Sequence, residues 1–254
     1  MMESLLQIQQ LTKVYGGRTS RAVAQALAGV DLDVQTGEFV SVMGPSGSGK
    51  TTLLNLLAGL DRPTSGDIRL RGQSYRTIGP DAMARFRRRH LGFVFQDFNL
   101  LDTLTVAENV LLPLALDHQG GPAGHRRVVD VLEKLGLAAY AGRFPYELSG
   151  GQQQRTAVGR AIIHDPDLIL ADEPTGNLDS ASARSLLETF HGLNREQGVT
   201  LLMVTHDPFA ASYSGRVVFI KDGAVFATLD HPGSRDAYFQ SILNTLAVLE
   251  GQPV

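Results

Sequence analysis

Residues 44–51 read Gly-Pro-Ser-Gly-Ser-Gly-Lys-Thr, and no other stretch restricts the fold of this chain so tightly. The spacing fits G-x-x-x-x-G-K-[ST], a loop whose glycines let successive backbone N–H groups point at one anion. The apolar run 39–43 precedes it and the leucine-rich run 52–60 follows. The loop therefore joins a strand to a helix whose dipole adds to the attraction for phosphate. Lys50 is then placed to reach the outer phosphates, and the Thr51 hydroxyl to ligate Mg²⁺. At ordinary residue frequencies the pattern arises by chance in about one chain of this length in a hundred. A flexible glycine turn with an accidental lysine would leave the flanking strand and helix unexplained.

Composition narrows the rest. A length of 254 residues is enough for one large domain or two small ones with a sizeable core. A net charge of -3 gives no electrostatic reason to expect nucleic acid as the partner. With no cysteine there is neither a disulfide framework nor a thiolate site. The first ten residues lack the basic and apolar pattern of a signal peptide, and no apolar run approaches the roughly 20 residues that span a bilayer. The expectation is a soluble chain whose membrane role, if any, comes through a partner.

Short apolar strands are expected at 5–11, 26–34, 39–43 and 67–70, punctuated by Gly16 and Gly17, Thr36 and Gly37, and Ser65 and Gly66. Residues 97–163 read as mainly helical: Thr105 and Glu108 form a capping-box pair, and Val128, Val131, Leu132 and Leu135 recur at helical spacing before Gly136. The continuous apolar runs 167–171 and 199–204, with a helix at 182–193 between them, predict a parallel sheet covered on both faces. A hairpin is expected around Gly223.

Two further motifs carry chemistry. The strand before Asp172 and Glu173 ends in paired carboxylates, where ligands of α/β sheets collect. Asp172 is placed to hold Mg²⁺ and Glu173 to orient or deprotonate the water that attacks the γ-phosphate. The second is Leu148-Ser149-Gly150-Gly151-Gln152: Ser149 caps a helix whose glycines open its start to an anion. Two phosphate-binding helix starts separated by a helical insertion predict a head-to-tail pair of subunits. Each Ser149 end then closes on the ATP held by the other subunit's loop.

The glycine loop, Leu-Ser-Gly-Gly-Gln, Asp172-Glu173, Gln96 and His206 occur in the order found in ATP-binding-cassette ATPases, which the chain resembles over nearly its whole length. The resemblance implies that Gln96 contacts Mg²⁺ or the attacking water, that His206 contacts the γ-phosphate, and that Asp179 belongs to a loop crossing the dimer interface. It also implies that Tyr15 stacks on adenine. The nucleotide set is then Tyr15, Gly44, Pro45, Ser46, Gly47, Ser48, Gly49, Lys50, Thr51, Thr52, Ser149, Gly150, Gly151, Gln152 and Asp179. Glu173, His206, Gln96 and Lys50 would be catalytic, and Thr51, Gln96 and Asp172 would hold the metal. Gly159, inside the helix after the signature, departs from the alanine usual in relatives.

The implied fold is α/β: a nucleotide-binding core with a mainly parallel sheet, an N-terminal antiparallel β subdomain and an inserted helical subdomain. Its expected divisions are 1–96, 97–163 with the signature, 164–230, and a C-terminal helix within 231–254. Residues 95–105 and 171–179 are similar to the branch of lipoprotein-release, macrolide-export and antimicrobial-peptide transporters, and residues 203–213 and 219–223 resemble the bacitracin-type exporters in particular. The resemblance implies an ATPase that dimerises on ATP and Mg²⁺ and drives a separate membrane permease from the inner face of the membrane, for peptide or drug export. A mechanical or regulatory ATPase signalling to a membrane partner, or a lipoprotein-release ATPase, is the alternative. The C-terminal face Phe239, Ile242, Leu243, Leu246 and Leu249 reads either as packing on its own subunit or as a docking surface. The arginines 85–89 read as a solvated face or as a contact with anionic headgroups or a permease loop.

Overall fold

The strands of the computed structural model, which describes residues 4–16 and 24–251, fall into two sheets of opposite character. Gly17 lies outside the described residues. In chain order the elements are β1 Ser4–Tyr15, β2 Ala24–Gln35, β3 Phe39–Met43, α1 Lys50–Leu57, β4 Ser65–Leu70, β5 Gln73–Ser74, α2 Pro80–His90 and β6 Leu91–Val94. There follow α3 Val106–Leu116, α4 Pro122–Lys134, α5 Gly150–Ile162, β7 Leu168–Asp172, α6 Ser180–Gln197 and β8 Leu201–Val204. The chain ends with α7 Pro208–Ala211, β9 Arg216–Lys221, β10 Ala224–Asp230 and α8 Arg235–Leu249.

The antiparallel sheet has the order β2-β1-β4-β5, and its strands alternate buried and exposed residues as a one-sided sheet must. The second sheet has the order β10-β9-β3-β8-β7-β6, parallel except for β10. Its central strands are apolar along their length because both faces are covered. Val40, Val42, Leu168, Leu170, Leu202 and Val204 face the core shared with the antiparallel sheet, α1 and α2. Ile169, Ala171, Leu201 and Met203 face the core built with α3 to α6. Each such leucine or valine stabilises the fold by about 1.5–3 kcal/mol when fully buried.

Several expectations are refined. Ser65 and Gly66 do not form a turn; they open β4, where Gly66 lies so close to the Gln10 backbone that a Cβ would collide with it. Thr105 and Glu108 form the expected capping box, but residues 97–104 ahead of it are not helical. Gly159 has a packing reason: a Cβ there would lie 3.0 Å from Val110, 3.1 Å from Leu135 and 3.3 Å from Val131, so three helices meet at that point. The C-terminal helix packs on its own chain through Tyr238, Ile242 and Leu249, against Met43, Ala211, Val217 and Phe219. Leu243 stays exposed.

The arginines of α2 are largely committed. Arg87 donates to Gly59 O at 2.9 Å, Arg88 to Leu116 O at 2.6 Å, and Arg89 pairs with Asp117 at 3.4 Å. Arg87 and Arg88 thus hold carbonyls just past the end of α1 and at the end of α3, while Arg85 stays exposed. Among the described residues no helix is long and apolar enough to cross a membrane.

Candidate functional site

The loop between β3 and α1 exists because two glycines allow backbone contacts that a side chain would block. A Cβ on Gly44 would collide with Ile220 O at the end of β9, and one on Gly49 with Ala26 O in β2. Gly49 also has a left-handed φ of 103°. The hairpin turn between β9 and β10 holds the loop from outside: the Gly223 N–H donates to Ser48 O at 3.1 Å, and Ala28 N–H to Gly223 O at 2.8 Å. Gly223 thus supports the site, a role the sequence showed only as a hairpin turn.

Gly49 caps α1 without a side chain, so the first-turn amides of that helix keep their capacity to bind an anion. Ser48 Oγ, beneath the loop, is buried and has no hydrogen-bond partner. Ser46 and Thr51 are exposed on the loop and helix start, Pro45 and Thr52 half-buried. Lys50 folds back on the loop, donating to Gly44 O at 2.7 Å and Pro45 O at 2.9 Å. An anion between those amides would compete for the same ammonium.

The paired carboxylates face this lysine from the end of β7. Burial lowers the Lys50 pKa, and the negative charges of Glu173 and Asp172 oppose that shift. Burial raises the Asp172 pKa, the neighbouring Glu173 raises it further, and Lys50 acts in the other direction. Both groups therefore carry their charges at a cost in the folded chain, the usual signature of a site built for a charged ligand.

Glu173 itself sits at a left-handed φ of 44°, a conformation worth about 1–3 kcal/mol of strain for a non-glycine residue. Its N–H donates to Val204 O at 2.9 Å, which fixes the turn. Its carboxylate holds His206 twice, accepting the backbone N–H at 3.2 Å and lying 3.0 Å from Nδ1. His206 is otherwise open, with 74% of its side chain exposed.

The other expected residues stand on separate supports. Gln96 donates to Asn177 Oδ1 at 3.2 Å, and Asn177 Nδ2 returns a bond to Gln96 O at 3.2 Å. The side chain lies flat against Gly176, where a Cβ would come within 2.9 Å of its amide nitrogen. Asp179 caps α6, accepting from Ala181 N–H and Ser182 N–H at 3.0 Å each and from the Ser182 hydroxyl at 2.6 Å. Those bonds, led by the hydroxyl, lower its pKa. The Tyr15 hydroxyl donates to Asp61 Oδ2 at 2.9 Å, beyond α1, and its backbone pairs with Ala24, two residues before the Ala26 that touches Gly49.

Ser149 and Gln152 form a complete capping box at the start of α5, with bonds of 3.3 and 2.9 Å. Gly151 lets that helix start lie against α6, where a Cβ would sit 2.7 Å from Ser182 Oγ. Among the described residues no hydrogen bond or ion pair joins residues 149–152 to residues 44–52. The chain thus gathers Lys50, Asp172, Glu173 and His206 in one place and leaves the exposed Ser149 end elsewhere.

The donor set suits a hard cation only in company with a ligand's own oxygens. Among the described residues no group of three or more His, Cys, Asp or Glu side chains could hold a metal. Asp172 with the exposed Thr51 hydroxyl supplies oxygen donors of the kind Mg²⁺ prefers, and phosphate oxygens and water would complete the shell.

Comparison with known proteins is consistent with this geometry. The family described as ABC transporter matches residues 27–176. The chain is 52% identical over 248 residues to the uncharacterized ABC transporter ATP-binding protein YvcR of Bacillus subtilis, covering 98% of this chain and 96% of that one. It is 46% identical to the bacitracin export ATP-binding protein BceA of Halalkalibacterium halodurans, with 98% of each chain covered. It is also similar to a solved dimer of the ATP-binding cassette MJ0796, in a post-hydrolysis state bound to ADP and Pi. There the TM-score is 0.81 and identity 39%, over 90% of this chain and 100% of the other.

Proposed function

The chain belongs to the ABC transporter family and is an ATP-hydrolysing subunit of that family; on that premise we propose which residues do the work and what the work is for. Two copies pair head to tail and enclose two ATP molecules, the loop 44–51 of one copy facing residues 149–152 of the other. The single observation that carries this reading is that Ser149 starts its helix exposed and unconnected to the loop of its own chain. The relatedness to a cassette solved as a dimer supports it.

At each site the loop amides and Lys50 bind the outer phosphates, with Pro45, Ser46, Gly47 and Ser48 lining the cradle and Thr52 continuing it. Mg²⁺ would be held by Thr51, Gln96 and Asp172, and would neutralise charge on the transferring phosphate. Glu173 takes a proton from water as its oxygen bonds to the γ-phosphorus and the bond to the ADP oxygen breaks. His206, already held by the Glu173 carboxylate, meets the γ-phosphate, and Tyr15 stacks on the base.

The energy is used by a separate membrane permease, which holds the ATPase at the inner face of the membrane. Relatives include a bacitracin export protein and, matched over 31% of its length, a macrolide export ATP-binding/permease protein of Syntrophobacter fumaroxidans. Their names support export of, or resistance to, antimicrobial peptides or drugs. Replacing Glu173→Gln should slow turnover by about 10² or more and trap an ATP-bound dimer visible by size-exclusion chromatography. Turnover at the parent rate would remove the base assignment.

A further inference from the structure

Gln154 lies just inside α5, five residues beyond the Ser149 cap, and its side chain is fully buried. Its Nε2 donates to two carbonyls, Phe95 O at 3.1 Å and Pro174 O at 2.6 Å. Phe95 immediately precedes Gln96, and Pro174 immediately follows Glu173. Its Oε1 is buried with no hydrogen-bond partner.

As a space-filler this amide is a poor choice, because a methionine would occupy the same volume without an orphan acceptor. What it provides is a fixed separation between three segments: the helix starting at Ser149, the chain entering Gln96, and the turn leaving Glu173. That turn is the left-handed one, closed by the Glu173 N–H on Val204 O at 2.9 Å and the Gly176 N–H on Glu173 O at 3.0 Å. Gln154 fixes the carbonyl lying between those two bonds. Two turns further along α5, Arg160 donates to Phe98 O at 2.9 Å and to Asn99 O, where both residues have positive φ. One helix therefore grips the segment after β6 at both ends.

We propose that Gln154 is a positioning residue for ATP hydrolysis, holding Gln96 and Glu173 in register with the helix that carries Ser149. Any shift of that helix start then displaces both hydrolytic groups together. The inference rests on the roles proposed above for Glu173 and Gln96.

Gln154→Met keeps the volume and removes both donated bonds; Gln154→Glu keeps the shape but cannot donate while ionised. In the full-length chain both should leave ADP affinity and KM for ATP within about threefold, since the loop 44–51 is untouched, and lower kcat about 10- to 100-fold. In Gln154→Glu, kcat relative to the parent should rise as pH falls between about 8 and 6, because a protonated buried carboxyl regains a donor. A parental kcat in Gln154→Met, or a flat pH ratio in Gln154→Glu, would overturn the proposal. Glu173→Gln run beside them separates the failures: if it is inactive while Gln154→Met is parental, only the positioning role falls. If Glu173→Gln is itself parental, the base assignment falls first.

Discussion

Two glycine-bearing helix starts, both proposed to meet phosphate, are capped differently. α1 begins at Gly49, left-handed and with no side-chain cap; α5 begins at Ser149, whose hydroxyl and Gln152 partner close a complete capping box. The first keeps its amides open inside a cradle walled by Ile220, Ala26 and Gly223. The second satisfies two of its donors within the capping box, and Ser149 stands exposed. A side-chain cap of this kind stabilises a helix by about 0.5–2 kcal/mol, so an anion at α5 competes with a bond already made. Under the proposed head-to-tail pairing, the difference implies an order of events: the open loop takes phosphate first, and the capped Ser149 end of another copy meets it second.

The largest expected effect breaks the open half. Lys50→Ala should weaken ATP binding at least about 100-fold, since the proposed charge-assisted bond to the outer phosphates is lost. Calorimetric titration with ATP and ADP checks it, and near-parental affinity would show that the amides alone suffice.

Next comes the capped half. In mixed dimers with Ser149→Arg in one copy, hydrolysis should fall about tenfold or more at the Lys50 of the other copy, with nucleotide binding to the isolated subunit unchanged. Pairing Ser149→Arg and Lys50→Ala in the same or in opposite copies decides which site is affected. A loss confined to the mutant subunit's own loop would dissolve the comparison.

A smaller effect concerns what the open half costs the fold. Asp172 has its pKa raised by burial and by Glu173, so the folded chain holds that proton more tightly than the unfolded one. Its contribution to stability is present at acid pH and is lost as pH rises through the folded pKa. Without nucleotide or metal, Asp172→Asn should therefore melt a few degrees higher than the parent near pH 7.5, with the gain fading toward about pH 4. A lower melting temperature at pH 7.5 would contradict this origin.

Smallest is Gly159→Ala, in the body of α5. Helix propensity favours alanine by about 1 kcal/mol, but crowding against Val110, Val131 and Leu135 costs about 1–3 kcal/mol. The net should be a destabilisation of about 1 kcal/mol in denaturant unfolding, with nucleotide affinity unchanged. A stabilised variant would mean that the three helices separate easily.

Much of the architecture was legible because local rules agreed. Strand, glycine loop and helix around Lys50 follow from pattern alone, and so does the capping box at Thr105. The doubly covered sheet was visible in the apolar runs before Asp172 and Thr205. Other features were hidden for physical reasons. Ser65 and Gly66 look like a turn, but Gly66 is needed where β4 meets the Gln10 backbone. Arg87 and Arg88 of α2 look solvated because their partners are backbone carbonyls, which no sequence pattern marks. Gln154 reads as one of three glutamines in a helix; only burial singles it out.

By itself the sequence determined that this chain carries a glycine loop between a strand and a helix, a carboxylate pair at a strand end and a second glycine-bearing helix start. Each is a local arrangement whose residues lie within one short segment. Tertiary structure decided the rest: that Lys50 faces Asp172 and Glu173, that Glu173 holds His206, and that Ser149 does not meet its own loop. It also decided that Gln154 ties the segments bearing Gln96 and Glu173 to α5. Those relations depend on the order β3-β8-β7-β6 in the parallel sheet, which brings together strand ends far apart in the chain. Spacing along a sequence carries no record of which strands become neighbours.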